Sequence, residues 1–156
     1  MTHPGEKHLT ASVFIISDEK VPRALLLDHK KLGMWMPPGG HKELLENPYE
    51  NMLREAMEET GIDLTPYMPK PEVWDGHTVR LPKPHHIIEA AIKPHKDEPA
   101  HFHIDLGYVA RIPFRDVSLM EAGDHKDMRW FTLEEIKNIP LFDNVRESLA
   151  ELLKVK

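Results

Sequence analysis

The sequence of 156 residues contains no cysteine. Disulfides, thiolate nucleophiles and cysteine-based zinc sites are therefore excluded together. The absence of disulfides fits an intracellular setting, and we expect a cytoplasmic protein. A chain of this length is close to the usual size of one domain, and about 70% of its unfolded surface can be buried without a covalent crosslink. We therefore predict a single domain over residues 1–156.

Long hydrophobic runs are also missing. The longest apolar stretches, residues 13–16 and 24–27, have the size of strands, whereas about 20 apolar residues are needed to span a bilayer. Residues 1–9 (MTHPGEKHL) contain no apolar core of the kind that a signal peptide requires. The sequence therefore predicts a soluble protein with no membrane partner.

Basic residues are the minority among the charged side chains. The chain has 20 Lys and Arg against 26 Asp and Glu, which gives a formal net charge of -6. Non-specific binding to nucleic acid or to an anionic membrane needs a basic surface, which this balance does not favour. A small-molecule partner is therefore expected, and nucleic acid is not.

Five segments have the composition of strands. Residues 9–17 and 23–28 are rich in β-branched and aliphatic side chains and predict one hairpin, and residues 86–93 and 101–112 predict a second. Residues 128–131 predict a short further strand. A proline-rich loop is expected over residues 65–84.

The clearest helix is predicted over residues 49–60. Asn47 is a suitable N-cap, Pro48 suits the first helical position, and Gly61 suits the residue just past the end.

Two shorter helices are expected near the carboxyl terminus. Thr132 and Glu135 have the spacing of a capping box. Asp143 is the predicted cap of a last helix that ends near Val155. Because strands and helices are interspersed, we predict an α/β (α+β) fold with a mixed sheet covered by helices.

Three glutamates on the central predicted helix carry the functional hypothesis. Glu55, Glu58 and Glu59 are spaced i, i+3 and i+4, so they share one face of the helix. A face of this kind is often only solvated, but it can also hold a metal ion. The wider sequence decides between these alternatives.

The pattern around the glutamates reads Gly40, five residues, Glu46, seven residues, then Arg54 to Ile62 (REAMEETGI). Seven fixed residue types would match by chance at on the order of 10⁻⁸ per starting position. The stretch resembles the signature of the Nudix hydrolase family, also named after MutT, which reads Gx5Ex7REUxEExGU with U a bulky aliphatic residue. Only the first U differs, because Ala56 occupies it. The resemblance implies an α/β/α sandwich with a mixed sheet between helices.

The same resemblance implies a metal-dependent hydrolase that cleaves the diphosphate linkage of a nucleoside diphosphate joined to another group. Mg²⁺ or Mn²⁺ is the implied cofactor. Glu55, Glu58 and Glu59 are the implied ligands, with the carbonyl of Gly40 completing the protein's share of the coordination shell. One of these glutamates, or an acid outside the signature, would deprotonate the attacking water.

Further residues near the signature have expected roles. By resemblance, Arg54 orients the glutamates, with Glu46 as its partner; the alternative is an exposed ion pair of little energetic value. The resemblance also implies a metal-binding or basic acid in the loop before the last strand, and Asp124 is our candidate for it. Glu121 and Asp127 are its rivals, and any of the three can be a solvated loop charge.

His101, His103 and Asp105 alternate along a predicted strand and so share one face of it. Three interpretations stay open: a transition-metal site, part of a substrate pocket, or a hydrogen-bonded sheet surface. Two interpretations stay open for three aromatic residues, which can stack on a nucleobase or pack in the core: Trp35, Trp74 and Tyr108.

Other functions on the same fold are weighed against hydrolysis. Isopentenyl diphosphate isomerases of this fold rely on a cysteine, which is absent. A non-catalytic nucleotide-sensing module usually has a degraded signature, whereas every charged position is filled here. Pyrophosphohydrolysis of RNA 5′ ends remains an alternative. The sequence does not identify the substrate, and a homodimer is possible because relatives often form one.

Overall fold

The computed structural model describes residues 1–119 and 123–155 and builds them around one large sheet. The strands in these ranges are β1 (Lys7–Ser17), β2 (Ala24–His29), β3 (Trp35–Met36), β4 (Gly39–His41), β5 (Glu72–Val73), β6 (Val79–Arg80), β7 (His86–Ile92), β8 (His101–Ile112) and β9 (His125–Phe131). The helices are α1 (Pro48–Thr60), α2 (Leu133–Ile136) and α3 (Asp143–Leu152). A 3-10 turn spans Thr65–Tyr67.

Strand β1 is the centre of the sheet. It pairs antiparallel with β2 and β4 and parallel with β8. Strand β7 pairs antiparallel with β8, and β2 pairs antiparallel with β3 and β9. Both predicted hairpins are therefore confirmed, and the parallel β1–β8 pair makes the sheet mixed, as predicted.

The alternation of side chains along β1 creates two cores. Val13 and Ile15 point to the face that Met52 of α1 covers. Phe14 and Ile16 point to the opposite face, which α2 and α3 cover through buried residues such as Leu149. A sheet with helices on both faces is the predicted α/β/α sandwich, and this prediction is confirmed.

Local sequence defines both ends of α1. Asn47 and Glu50 form a reciprocal capping box, and Pro48 occupies the first turn. Gly61 follows the helix in the left-handed conformation, at φ 73°, and its N–H donates to the carbonyl of Met57. The predicted cap, first turn and end of this helix are all confirmed.

The carboxyl-terminal helix differs from its prediction. Phe142 is the N-cap residue, in an extended conformation and without a side-chain hydrogen bond, and Asp143 lies inside the first turn. An acid there still favours the helix through its dipole. The helix ends at Leu152 and not near Val155, because the C-cap residue Leu153 leaves the helical conformation, at φ -96° and ψ 13°, while its side chain stays in the core. The predicted short helix after Thr132 is confirmed with its capping box.

Two other regions hold more structure than the sequence predicted. Strand β9 begins at His125 and not at residue 128, because its pairing with β2 continues to His29. The predicted loop over residues 65–84 contains the 3-10 turn and the small β5–β6 hairpin. In the part of the chain that the structure describes, no helix has both the length and the apolar character needed to cross a bilayer.

Candidate functional site

Strand β4 brings Gly39 and Gly40 against the carboxylates of α1. The N–H of Gly39 donates to Oε1 of Glu59 at 2.8 Å. A Cβ atom added to Gly40 would lie 2.3 Å from Oε1 of Glu55. A side chain at position 40 would therefore displace the Glu55 carboxylate, which occupies that space.

Arg54 connects the charged side chains of the site, because it donates hydrogen bonds to three glutamates. Its Nε and Nη2 donate to the two oxygens of Glu46 at 3.0 and 2.7 Å. Its Nη1 donates to Glu55 and to Glu58, both at 3.1 Å. This hydrogen bonding lowers the pKa of Glu46 and raises that of Arg54. The structure therefore places the expected partner of Arg54 and joins the guanidinium to two of the three signature glutamates.

Asn51 is a residue of the site that the sequence analysis missed. It is completely buried, and both ends of its amide are used. Nδ2 donates to the carbonyl of Gly40 at 3.2 Å, and Oδ1 accepts from Nη2 of Arg54 at 3.1 Å. Arg54 also donates to the carbonyl of His41 at 3.1 Å. Two side chains of α1 therefore hold two consecutive carbonyls of β4.

The three signature glutamates differ in exposure. The side chains of Glu55 and Glu59 are each 14% exposed, whereas that of Glu58 is 56% exposed. Burial raises the pKa of Glu59 to about 8, the charges of Glu55 and Glu58 add to this, and the Gly39 hydrogen bond opposes it. Burial also raises the pKa of Glu55, against the effect of Arg54. The cluster therefore holds more negative charge than Arg54 alone stabilises.

These groups form a donor set that suits a hard divalent cation. The three signature glutamates share one face of α1, with the Glu55 carboxylate against Gly40 and the Glu59 carboxylate bonded to the N–H of Gly39. The carbonyl of Gly40 accepts one hydrogen bond, from Asn51, and keeps a second lone pair. Mg²⁺ and Mn²⁺ prefer such oxygen ligands. The site contains no thiolate, and the charge imbalance favours cation binding. The residues present therefore fit a divalent metal ion.

The candidate acids of the loop before β9 have different surroundings. Asp124 is exposed, and its negative charge contributes to the raised pKa of Glu59. Asp127 accepts from the N–H of Met128 and from Nε of Arg129, so its carboxylate is used locally. Glu121 lies outside the described residues. The geometry favours Asp124 over Asp127 as an acid near the cluster.

His125 is a second residue that the sequence analysis missed. Its Nδ1 lies 3.3 Å from Oε2 of Glu59, and its side chain is mostly buried. Burial lowers the pKa of His125, as does the nearby His29, so the neutral imidazole is favoured. Neutral imidazole can donate one hydrogen bond to Glu59. In the sequence, the signal that could have identified His125 is that it directly follows Asp124, the candidate acid.

The three residues that alternate along β8, His101, His103 and Asp105, have different partners in the structure. Asp105 accepts from the hydroxyls of Thr10 and Ser12 at 2.8 and 2.6 Å. His101 and His103 lie together at the start of the strand, with their Nε2 atoms 3.2 Å apart. The two histidines and the aspartate therefore do not form one ligand set.

The three aromatic candidates also have different positions. Trp35 and Tyr108 are buried in the two cores. Trp74 is exposed, and the guanidinium of Arg80 lies over its ring at 4.3 Å from the ring centre. Packing in the core therefore accounts for Trp35 and Tyr108.

Comparison with known proteins gives the same assignment as the geometry. The model of the NUDIX domain matches residues 6–153. A solved structure of a NUDIX family hydrolase from Clostridium perfringens superimposes with a TM-score of 0.71 at 28% sequence identity, over 94% of this chain and 95% of that one.

Two curated relatives are similar over part of the chain. The asymmetrical bis(5′-nucleosyl)-tetraphosphatase of Rattus norvegicus is 27% identical over 122 residues, which are 75% of this chain and 68% of that protein. The m7GpppN-mRNA hydrolase NUDT17 of Danio rerio is 41% identical over 63 residues, 35% of this chain and only 21% of that protein. A match to the family model over nearly the whole chain, together with the filled signature and the α/β/α sandwich, shows that this protein belongs to the NUDIX family of hydrolases, metal-dependent enzymes that act on phosphoric anhydride bonds.

Proposed function

We propose that the protein cleaves the diphosphate linkage of a nucleoside diphosphate joined to another group. The observation that carries this proposal is the arrangement of the signature glutamates: Glu55 lies against Gly40, Glu59 accepts from the N–H of Gly39, and Glu58 shares the Arg54 guanidinium with Glu55. A diphosphate is polyanionic, so its hydrolysis needs a site built for cations. The fully occupied signature supports an active enzyme.

The proposed cofactor is Mg²⁺ or Mn²⁺, held by the three glutamates and the Gly40 carbonyl, with Asp124 as a further ligand or base. Such ions, when bound, neutralise diphosphate oxygens and lower the pKa of a coordinated water. Arg54 orients Glu55 and Glu58 through its hydrogen bonds. Gly39 fixes one oxygen of Glu59. A carboxylate of the cluster, or Asp124 beside it, accepts the proton of the attacking water.

For the substrate, dinucleoside tetraphosphates are the first class to test, because the rat relative is named for hydrolysing them. The other candidates are nucleoside triphosphates, ADP-ribose and nucleotide sugars. Each contains a nucleoside diphosphate joined to a second group, which is the chemistry that the site supports.

The test is a substrate panel assayed with Mg²⁺ and with Mn²⁺, following the phosphate-containing products by chromatography. We expect at least one member to be cleaved and Glu59→Gln to abolish the metal-dependent rate. Glu147→Gln is the matched control, since Glu147 is an exposed helical glutamate on α3. Equal turnover by wild-type and Glu59→Gln protein would contradict the mechanism.

Hydrolysis of capped RNA is the second candidate, favoured by the similarity of a 63-residue segment to NUDT17. The net charge of -6 opposes a long RNA contact. The panel therefore includes a capped dinucleotide and a capped RNA of about 20 nucleotides. Faster cleavage of the RNA would favour the second candidate. Nucleotide binding without cleavage of any panel member would favour the sensing module.

A further inference from the structure

A second group of potential metal ligands lies on three strands of the central sheet. His8, His41 and His103 each offer one ring nitrogen, and these three atoms all lie within 4.8 Å of one another. His8 is paired with His103 in the β1–β8 ladder, and His41 comes from β4 on the other side of β1. The sequence gives little sign of this grouping, because only the tertiary fold brings the three residues together.

The hydrogen bonding of His8 leaves one ring nitrogen free for a ligand. Nε2 of His8 lies 3.3 Å from Oε1 of Glu6. A carboxylate accepts, so this contact places the proton on Nε2 and the lone pair on Nδ1. Nδ1 is buried and has no hydrogen-bond partner among the residues that the structure describes. A buried acceptor without a partner is costly, and a metal ion would satisfy it.

His101 holds His103 in a similar way. Nδ1 of His101 lies 2.9 Å from the carbonyl of Pro99, which can only accept, so this nitrogen carries the proton. Nε2 of His101 is then the acceptor in its 3.2 Å contact with Nε2 of His103. His103 in turn keeps a lone pair on Nδ1. Imidazoles oriented by a carboxylate or carbonyl on their second nitrogen are typical of metal-binding histidines.

The charge state and the access of the cluster also suit a metal ion. Burial lowers the pKa of His103 to about 4, and the neighbouring His41, His101 and His8 act in the same direction, so its ring is neutral at neutral pH. A surface depression of about 340 Å³ opens beside the cluster and is lined by His8, Leu9, His41 and Lys42. The amine of Lys42 donates to the carbonyl of Glu43. The ring of His103 is therefore an unprotonated base, and the depression lets an ion reach the cluster.

We propose that His8, His41 and His103 bind one divalent transition-metal ion, Zn²⁺ in the first instance. Neutral imidazole suits zinc, nickel and copper and does not suit magnesium, so this site is chemically distinct from the carboxylate cluster. Ligand nitrogens around tetrahedral zinc are about 3.3 Å apart, so each ring would have to shift by less than about 1 Å. The ion would join β1, β4 and β8 and fix the strand that carries Gly40.

The test uses untagged full-length protein that has been treated with a chelator. Zinc affinity and stoichiometry are measured by titration calorimetry, and the Co²⁺ form is examined by visible absorption. We expect one zinc equivalent that is retained in Glu59→Gln. The Kd should rise at least about 100-fold in His8→Gln and in His103→Gln, more than the loss of an orienting partner causes. His77→Gln, an exposed histidine outside the cluster, is the matched control and should leave the Kd unchanged.

A milder variant keeps the proposal testable if the histidine variants do not fold, as judged by circular dichroism. Glu6→Gln retains all the imidazoles and removes only the carboxylate beside His8, so it should raise the Kd about 10- to 100-fold. Unchanged zinc binding in His8→Gln, His103→Gln and Glu6→Gln would overturn the proposal. So would an absence of zinc binding in the wild type, or its loss in Glu59→Gln. These outcomes do not depend on turnover and are distinct from failure of the proposed hydrolase function.

Discussion

Replacing Gly40 by alanine tests the central geometry of the carboxylate site. The added Cβ would lie 2.3 Å from Oε1 of Glu55 and 2.7 Å from its Cδ. Gly40 is not among the glycines with positive φ, so the substitution brings no backbone strain. Its effect should come from displacement of the Glu55 carboxylate alone.

The size of the effect follows from the distances. Ordinary van der Waals contact of a Cβ begins at 3.4 Å, so Oε1 of Glu55 must retreat by about 1 Å. A misplacement of this size in catalytic machinery typically costs about 10²-fold in rate, which corresponds to about 2.7 kcal/mol of transition-state stabilisation. The free energy of unfolding should fall less, by about 1 kcal/mol, because the Glu55 side chain can move with loss of one hydrogen bond from Arg54.

The assay compares kcat/KM of Gly40→Ala with that of wild type on the best substrate of the panel. Mn²⁺ affinity, measured by electron paramagnetic resonance, provides a readout that does not require turnover. Gly76→Ala is the control, because a Cβ there meets no atom within 4 Å and Gly76 also lacks a positive φ. Wild-type rate and Mn²⁺ affinity in Gly40→Ala would refute the inferred position of Glu55.

Three further perturbations test the surroundings of the site. Asn51→Ala leaves the Gly40 carbonyl without its amide donor, and we expect about 1–3 kcal/mol lower unfolding free energy in urea; an unchanged midpoint would contradict this. Arg54→Lys cannot reproduce the two-pronged contact with Glu46, so kcat/KM should fall at least about tenfold, whereas Arg129→Lys at an exposed pair should have no effect. In EDTA, the raised pKa of Glu59 means that the native state binds more protons than the unfolded chain between pH 4.5 and about 8. The unfolding free energy should therefore decrease as pH rises through this window, and Glu59→Gln should make that slope shallower, with Glu55, whose pKa is also raised, supplying a remaining part; an identical slope in the variant would exclude Glu59 as a source.

The parts of the fold that sequence predicted well are those that local chemistry determines. Asn47, Pro48 and Gly61 act through contacts within a few residues, so the ends of α1 could be predicted. The hairpins followed from the composition of adjacent segments. The cap of α3 was predicted wrongly because its N-cap residue, Phe142, makes no side-chain hydrogen bond, and tertiary packing of the helix can position it without one.

The surroundings of the site were harder to predict because they depend on distant segments. The signature identified Arg54 and its glutamates, but the role of Asn51 depends on β4 lying against α1. His125 reaches Glu59 only because β9 pairs with β2 beyond the predicted start. His8 and His41 join His103 through pairings of β1 with two other strands. Spacing in one segment cannot reveal such groupings.

The central position of β1 has a consequence for the order of folding. Thr10 and Asp105, neighbours in the β1–β8 ladder, are 95 positions apart along the chain. Closing so long a loop is entropically costly and slow, whereas α1, with its capping box, can form from local contacts. Its carboxylates then remain unconfined until β4 has paired with β1 and Gly39 can reach Glu59. High-affinity cation binding should therefore develop only after β4 has paired with β1, and it would report that step during refolding.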